Sequence, residues 1–289
     1  MTDSLTPLTS PSAVKAVLQE LQMVPGKSMG QNFLIDRNIL NIFVDLAELK
    51  KSDSVMEIGP GLGTVTRELL ARAGRVTAIE KDLRLCDYLR QTLSACSNLE
   101  LMAEDALEAP LEGMLAGGCG KLVSNLPYSC GTRILVRVIT APARPELVVV
   151  TVQRDVAERM TAGPSCKAYG LLSVCVQTFY EAVVERVVSH GCFYPRPRVD
   201  SAIVRLRRRP EPLTGGLQPD FILRLLHEFF SKRRKQLGTL LSQIMPARGM
   251  KKEDMESLLV ELGLDHQMRP ENLSPAQWAE LLQALAARG

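Results

Sequence analysis

A short segment, Asn125-Leu126-Pro127-Tyr128, follows the run 121–124, whose composition is typical of a buried strand. At the carboxyl end of a strand in an open α/β sheet, such residues lie where ligands bind. The Asn125 oxygen and the Leu126 carbonyl are two hydrogen-bond acceptors, and Pro127 restricts the direction of that carbonyl. Tyr128 offers a flat face for stacking. This set suits the exocyclic amine of a planar base and indicates a nucleobase-modifying enzyme, although a strand-ending turn with a packed Tyr fits the same residues.

A glycine-rich loop lies at residues 57–64 (EIGPGLGT), where the first strand of a predicted sheet gives way to a helix. Glycines let the backbone turn sharply and let a ligand approach closely. Such a loop could also serve NAD. Its spacing, however, is G-x-G-x-G, and Glu57 precedes Gly59 by two positions. A carboxylate would repel a pyrophosphate, whereas it suits a cationic, phosphate-free ligand. The loop therefore favours an S-adenosylmethionine site over a nicotinamide site.

Acidic or amide residues fall at the carboxyl ends of four successive predicted strands, namely Glu57, Glu80, Asp105 and Asn125. Glu80 is placed to accept hydrogen bonds from both hydroxyls of a ribose. Asp105 is placed to accept one from an adenine amine. A single residue of this kind is usually a helix cap or a loop residue. Four of them at strand ends are hard to obtain from structural needs alone, so the set favours a methyltransferase.

Predicted strands and helices alternate from 54 to 160, which indicates an α/β fold with a doubly wound, mostly parallel sheet. With the cofactor loop, this predicts a Rossmann-like class I methyltransferase sheet. The β-like runs 182–188 and 201–208 predict an antiparallel edge hairpin. Four helical patterns follow, at 219–230, 234–244, 251–262 and 274–287. The predicted parts are an N-terminal extension with one short helix (1–27), the methyltransferase domain (28–209), a linker (210–218) and a small all-helical C-terminal domain (219–289).

The composition is that of a globular chain with a sizeable core, since 46% of the residues are hydrophobic and 23% are charged. The apolar runs stay well short of the roughly 18 residues of a membrane-spanning helix. We therefore expect no membrane segment. The seven cysteines include no CxxC pair, and the chain has only three histidines. This predicts free thiols in a reducing cytoplasm and no metal site.

Positive charge is concentrated in two places, although the net charge is only +3. The first is the arginine-rich stretch 196–209, and the second is the run 232–235 (KRRK). Localised positive charge is an electrostatic footprint for a polyanion. Either run alone could also be ordinary solvated surface.

Taken together, these features resemble the rRNA adenine N6,N6-dimethyltransferases, and specifically the branch that acts on the small ribosomal subunit. The resemblance covers most of the chain, from about Lys27 to Trp278. Besides Glu80, it rests on the segments GQNFL (30–34), EIGPGLG (57–63), EDA (104–106), NLPY (125–128), QRDVAER (153–159), FYPRPRVDS (193–201), FSKRRK (230–235) and RPENLS (269–274).

The resemblance implies S-adenosyl-L-methionine as the cofactor and two adjacent adenines near the 3′ end of small-subunit rRNA as the target. The partner it implies is a precursor of the 30S ribosomal subunit during ribosome biogenesis. We also expect a monomer that acts in the cytoplasm. Family members often carry more basic residues before the GQNFL segment than this chain has at 27–29, which predicts a weaker RNA contact there.

The resemblance also implies catalytic and binding roles for individual residues. The predicted catalytic residues, which hold the target adenine, are Asn125, Leu126, Tyr128 and Phe193. The predicted cofactor-binding residues are Gln31, Asn32, Leu34, Gly59, Gly61, Glu80, Lys81, Asp105, Ala106 and Asn125. The residues expected to bind RNA are Arg196, Arg198, Arg207, Lys232, Arg233, Arg234 and Lys235.

The expected chemistry needs no strong base. The adenine N6 lone pair is delocalised into the ring, and two acceptors, the Asn125 oxygen and the Leu126 carbonyl, can bind the N6 hydrogens and aim the lone pair at a sulfonium methyl group. Tyr128 and Phe193 are expected to stack on a base that has left its helix, at about 1–3 kcal/mol per base.

Other functions remain open at this point. A large-subunit rRNA adenine methyltransferase of the antibiotic-resistance type shares nearly all of the active-site motifs, but the 232–235 run and the 269–274 segment favour the small-subunit branch. A ribosome-assembly factor that acts mainly by binding could lack Glu80 or Asn125, and both are present. A DNA-adenine or protein-glutamine methyltransferase would share the Asn-x-Pro-Tyr segment. It would not be expected to contain Phe193-Tyr194-Pro195 together with a helical domain.

Overall fold

The computed structural model describes residues 8–25, 30–246, 249 and 251–288. The weaker RNA contact predicted at 27–29 lies outside these residues, as does the beginning of the predicted N-terminal extension. Among the described residues, no helix is both long enough and apolar enough to cross a membrane.

The chain divides into two compact units, each made of two stretches of sequence. The first unit comprises Met1–Ala157 and Val183–Arg208, and the second comprises Glu158–Ala182 and Arg209–Gly289. The boundaries predicted from the sequence place 158–182 with the sheet, whereas this division places it with the C-terminal helices. Within the second unit, the Tyr169 hydroxyl donates to the Leu273 carbonyl at 2.7 Å, which ties the two stretches together.

Strands and helices alternate through most of the first unit. The strands of the chain are β1 (Phe33–Leu34), β2 (Ser54–Ile58), β3 (Arg75–Glu80), β4 (Leu99–Ala103), β5 (Lys121–Asn125), β6 (Leu147–Gln153), β7 (Tyr180–Val188), β8 (Phe193–Tyr194) and β9 (Ser201–Arg208). The α-helices are α1 (Pro11–Glu20), α2 (Arg37–Asp45), α3 (Thr64–Arg72), α4 (Leu83–Thr92), α5 (Leu111–Ala116), α6 (Gly131–Thr140), α7 (Arg154–Thr161), α8 (Leu171–Phe179), α9 (Pro219–Ser231), α10 (Leu237–Ile244), α11 (Lys252–Glu261) and α12 (Pro275–Arg288).

The large sheet has seven strands in the order β4-β3-β2-β5-β6-β9-β7. The strands from β4 to β6 are parallel, and β9 runs antiparallel to β6. The predicted mostly parallel sheet with an antiparallel edge is confirmed. Strand β6 is buried along almost its whole length, which accounts for its unbroken apolar sequence, because central strands of such sheets are covered on both faces.

The connection between β7 and β9 differs from a plain hairpin. It contains a 3-10 turn at His190–Cys192 and then β8. Strand β8 leaves the large sheet and pairs antiparallel with β1, so that Leu34 lies opposite Phe193 and Phe33 lies opposite Tyr194. Because this pairing joins residues about 160 positions apart, no local pattern could have predicted it.

The N-terminal helix α1 packs behind the glycine-rich loop at residues 57–64. Val14 and Leu18 of this helix form a buried cluster with Phe33, Leu62 and Leu85. The helix begins as predicted, with Ser10 as N-cap and Pro11 in the first turn. Helix α1 thus supports the glycine-rich loop, which carries Leu62, and the segment that carries Phe33, from outside the sheet.

In the second unit, the described residues after 218 form helices and turns, which confirms the predicted helical C-terminal part. Helix α10 begins at Leu237, three residues later than predicted, and the 232–235 run lies in the turn before it. The positive end of a helix dipole disfavours cations in the first turn, which explains the later start. Helices α5 and α8 were not predicted, since α5 is short and α8 is buried over most of its surface and so has no continuous polar face.

Candidate active site

A cleft in the first unit lies at the carboxyl ends of β2, β3, β4 and β5. Parallel strands bring their carboxyl ends to one edge of a sheet, which is why residues distant in sequence meet here. All ten residues predicted to bind a cofactor line this cleft: Gln31, Asn32, Leu34, Gly59, Gly61, Glu80, Lys81, Asp105, Ala106 and Asn125. Of the four predicted catalytic residues, Asn125 lines it, whereas Leu126, Tyr128 and Phe193 are not among the lining residues.

Glu80 fixes the glycine loop. Its Oε2 accepts a hydrogen bond from the Gly61 N–H at 3.0 Å, and its Oε1 accepts one from the Asp82 N–H at 2.9 Å. Burial raises the pKa of Glu80, and these backbone donors oppose the rise. Gly61 has φ +59°, and a Cβ there would lie 2.9 Å from the Phe33 ring. Only a glycine at position 61 therefore lets the loop approach both Glu80 and Phe33.

Asp105 is held in place by an ion pair. Lys81 Nζ donates to Asp105 Oδ2 at 2.7 Å, and the Leu107 N–H donates to Oδ1 at 2.9 Å. The hydrogen bond from Lys81 keeps the pKa of Asp105 below its ordinary value. Two residues predicted to bind the cofactor separately are thus partners of each other.

Arg137 of α6 supports the loop after Asp105. Its guanidinium donates to the main-chain carbonyls of Ala106 at 3.0 Å, Leu107 at 2.5 Å and Ala109 at 3.0 Å. A planar guanidinium can satisfy several carbonyls at once, which a lysine cannot. Sequence analysis missed this residue, because an arginine on an amphipathic helix gives no local sign of its partners.

Glu57 is the most buried carboxyl group of the cleft, with 1% of its surface exposed. Its Oε2 and the neighbouring Thr66 hydroxyl both lack a hydrogen-bond partner within the described part of the chain. Burial raises the pKa of Glu57 to about 8; the nearby Thr66 lowers it in part, and the Glu80 carboxylate adds to the rise. The cleft thus contains an unsatisfied carboxyl group that a cationic ligand would stabilise in its ionised form.

We expect this carboxyl group to make the stability of the ligand-free protein depend on pH. The folded state keeps a proton on Glu57 up to about pH 8, whereas the unfolded chain releases it near the ordinary glutamate pKa of 4.5. The contribution of Glu57 to the free energy of unfolding is therefore fully present below pH 4.5. It is lost as the pH rises through 8, at no more than about 1.4 kcal/mol per pH unit. Glu57→Gln is expected to remove this loss and to be more stable than wild type at about pH 9.

Urea unfolding of the ligand-free protein between about pH 5 and pH 9 measures this effect. Glu104→Gln is a matched control, because Glu104 lines the same cleft but is exposed. The control should keep the wild-type pH dependence. Parallel stability curves for wild type and Glu57→Gln would contradict the expectation.

The Asn125 amide is bound on both sides. Its Nδ2 donates to the Asn32 carbonyl at 2.8 Å, and its Oδ1 accepts a short hydrogen bond from the Thr151 hydroxyl. The segment that carries Asn32 lies against the loop after Asn125. Gly30, with φ +63°, permits this contact, because a Cβ there would lie 2.9 Å from the backbone nitrogens of Tyr128 and Ser129.

The two aromatic residues predicted to stack on a base are placed differently. Tyr128 is half-buried, and its hydroxyl shares a short hydrogen bond with Ser201 of β9. Burial raises the pKa of the Tyr128 hydroxyl. Phe193 has 2% of its surface exposed and packs in a core cluster that includes Leu34 and Phe43. Neither Tyr128 nor Phe193 is among the residues that line the cleft, and the stacking role of both stays a prediction.

The basic residues of the first unit fall into two classes. Arg207 forms an ion pair with Glu48, with Nη2 and Oε1 2.8 Å apart. Arg196 and Arg198 are exposed and form no ion pair or hydrogen bond with any described residue. Two of the three predicted RNA-binding arginines of this unit are therefore available to a polyanion.

The basic run of the second unit is divided in the same way. Arg233 forms an ion pair with Glu271 at 2.5 Å. Lys232 and Lys235 donate to the neutral side chain of Gln243. Arg234 is exposed and has no partner among the described residues. Within the described part of the chain, Arg233 is thus the member of the run that has an ion-pair partner.

The arrangement matches a known family over most of the chain. A family model described as ribosomal RNA adenine dimethylase matches residues 26–287. The chain belongs to this family. The adenine dimethylase resemblance inferred from the motifs is confirmed, and four of the segments on which it rests, 30–34, 57–63, 104–106 and 125–128, contribute residues to the cleft.

Individual relatives agree with this membership. Ribosomal RNA small subunit methyltransferase A of Moorella thermoacetica is 38% identical over 287 residues, which cover 96% of this chain and 98% of the relative. Among solved structures, a dimethyladenosine transferase from Plasmodium falciparum is similar with a TM-score of 0.76, 25% identity and coverage of 89% of this chain and 98% of its own. The 23S rRNA methyltransferase ErmE is similar with a TM-score of 0.65, 30% identity and coverage of 88% and 100%.

Proposed function

We propose that this protein transfers methyl groups from S-adenosyl-L-methionine to the N6 atoms of two adjacent adenines in small-subunit rRNA. The observation that carries the proposal is that Asn125, held in a defined orientation, lines the same cleft as Glu57 and Glu80. Membership of the rRNA adenine dimethylase family supports the reaction, and the names of relatives such as the Moorella protein support the small subunit.

The residues of the cleft fit S-adenosylmethionine. Glu57 Oε2 has no hydrogen-bond partner among the described residues. A cationic ligand would favour the ionised form of this carboxyl group, and in that form it would repel a pyrophosphate. Glu80 would accept from the ribose hydroxyls, and Asp105 would accept from the adenine amine of the cofactor. The apolar side chains of Leu34 and Ile79 complete the walls. When bound, the cofactor supplies an electrophilic methyl group.

The protein has to orient the target amine and stabilise its developing positive charge. The Asn125 Oδ1 and the Leu126 carbonyl would accept the two N6 hydrogens, which turns the N6 lone pair toward the methyl carbon. The bond from N6 to the methyl carbon would form as the bond from that carbon to the sulfonium sulfur breaks, which leaves a neutral thioether. The methylated amine carries the positive charge at that stage and is acidic enough to release its proton to water without a strong base. After the first transfer, one N6 hydrogen remains for one acceptor, so the same site can act a second time.

The target base has to leave its stack to reach the cleft. Tyr128 offers the aromatic face next to Asn125, and the proposal keeps Phe193 as a second stacking residue that has to turn out of the core. RNA contact would come from the unpaired cations Arg196, Arg198 and Arg234 and from Lys232 and Lys235. Phosphate contacts of this kind make binding depend steeply on salt. We place this activity in the cytoplasm, carried out by a monomer on a 30S precursor.

The proposal is tested with purified ribosomal subunits and labelled S-adenosylmethionine, followed by mass mapping of the methylated nucleotides. We expect two dimethylated adjacent adenines on 30S particles that lack these methyl groups. Fully methylated 30S particles are the matched control and should accept no label. Label on a single adenine of the 50S subunit would instead identify a large-subunit enzyme, and tight 30S binding without label would identify an assembly factor.

A further inference from the structure

Thr151 is a polar residue in a strand that is otherwise apolar up to Val152. Strand β6 has the sequence LVVVTVQ, and Thr151 is fully buried in it. Burying a hydroxyl costs free energy unless it forms a hydrogen bond, and valine would fill the same space without that cost. The parallel register places Thr151 directly opposite Asn125 of β5. The Thr151 hydroxyl donates to Asn125 Oδ1, which accounts for a hydroxyl at this position.

The orientation of the Asn125 amide decides whether it can assist the reaction. A side-chain amide presents an acceptor oxygen and a donor nitrogen of nearly the same shape. An amine approaching the nitrogen end would meet a second donor and would be repelled. The Asn32 carbonyl can only accept, so it fixes the nitrogen end at 2.8 Å, and the Thr151 hydroxyl fixes the oxygen end.

We propose that Thr151 is a positioning residue that holds Asn125 Oδ1 ready to accept a hydrogen from the substrate amine. This inference rests on the proposed adenine methyl transfer. An amide oxygen has two lone pairs, so the bond from Thr151 leaves one of them for the substrate. Thr151 is not among the residues that line the cleft and acts through Asn125.

The kinetic test compares Thr151→Val with Thr151→Ser. Valine keeps the volume and the β-branch but removes the donor, and we expect kcat to fall about tenfold, as for one lost hydrogen bond. The Kd for S-adenosylmethionine and the KM for RNA should stay within about threefold, because no group that touches either ligand is removed. Serine keeps the donor and should restore most of kcat.

Thr178→Val is the matched control. Thr178 is also fully buried, but it lies in α8, and its hydroxyl has no hydrogen-bond partner among the described residues. The same change there should leave kcat unchanged. Equal losses of kcat in the two valine variants would overturn the positioning role.

A double-mutant cycle tests whether Thr151 acts through Asn125. In the Asn125→Ala background, Thr151→Val should have no further effect on kcat, because the group it positions is absent. If Thr151→Val lowered kcat about tenfold in both backgrounds, the two residues would act independently and the proposal would be wrong.

The last readout does not depend on activity. The side-chain amide resonance of Asn125, assigned by its loss in Asn125→Ala, should move in Thr151→Val and return toward its wild-type position in Thr151→Ser. An unchanged resonance in Thr151→Val overturns the role of Thr151. Absence of methyl transfer by the wild-type protein, with the resonance behaving as expected, overturns the proposed function and not the hydrogen bond.

Discussion

Asn125→Ala is expected to lower kcat for methyl transfer at least about 100-fold, a loss typical of removing one group that stabilises developing charge. The side chain supplies one of the two acceptors proposed for the N6 hydrogens, and water cannot replace it in a defined direction. The affinity for S-adenosylmethionine should stay within about tenfold of wild type. Some loss is expected, because the variant also removes the bond from Asn125 Nδ2 to the Asn32 carbonyl, which lies in a segment lining the cleft.

Single-turnover kinetics with 30S particles and calorimetric titration of the cofactor separate these two effects. Asn98→Ala is the matched control, because Asn98 also donates to main-chain carbonyls, those of Leu70 and Ala73, but does not line the cleft. It should lose stability and keep kcat. A wild-type kcat in Asn125→Ala would contradict the proposed mechanism.

Glu80→Ala is expected to weaken cofactor binding at least about 100-fold, which corresponds to the loss of two charge-assisted hydrogen bonds to a ribose. The structure gives a second reason for a large effect. Both Glu80 oxygens hold backbone donors, Gly61 N–H at 3.0 Å and Asp82 N–H at 2.9 Å. Alanine therefore releases the glycine loop and removes the proposed ribose acceptor at the same time.

Calorimetric titration with S-adenosylmethionine measures this loss, and thermal unfolding shows whether the variant is folded. Glu100→Ala is a suitable control, since Glu100 lies on the neighbouring strand β4 and forms an exposed ion pair with Arg75. Its cofactor affinity should equal that of wild type. Wild-type affinity in a folded Glu80→Ala protein would contradict the assignment of Glu80.

Much of the sheet could be predicted from local sequence. The runs at 54–58, 75–80, 99–103, 121–125, 147–153 and 201–208 are strands with the predicted bounds. Each is a short apolar or alternating run that ends at a polar or turn-forming residue, and this local signal sets its ends. A parallel sheet then brings those ends to one edge, so Glu57, Glu80, Asp105 and Asn125 could be placed in one cleft before any tertiary contact was known.

The contacts that hold the side chains of this cleft in position could not be predicted from the sequence. Thr151 looks like one more β-branched strand residue, and only the register of β5 and β6 places its hydroxyl on Asn125. Arg137 looks like a helix surface residue until its three carbonyl partners are seen. The pairing of Arg207 with Glu48 and of Arg233 with Glu271 likewise depends on residues distant in sequence.

The sequence by itself determined the fold class, the family and the ten predicted cofactor residues that line the cleft, because hydrophobic periodicity, glycine spacing and the residues at strand ends are local properties. Tertiary structure alone decided how those residues are held: which groups bind the two ends of the Asn125 amide, which arginines form ion pairs, and that β1 pairs with β8 and buries Phe193. A hydrogen bond or an ion pair weakens when the distance between its atoms changes by a few tenths of an ångström. Here those atoms belong to residues far apart in the chain. Only the folded chain fixes such distances.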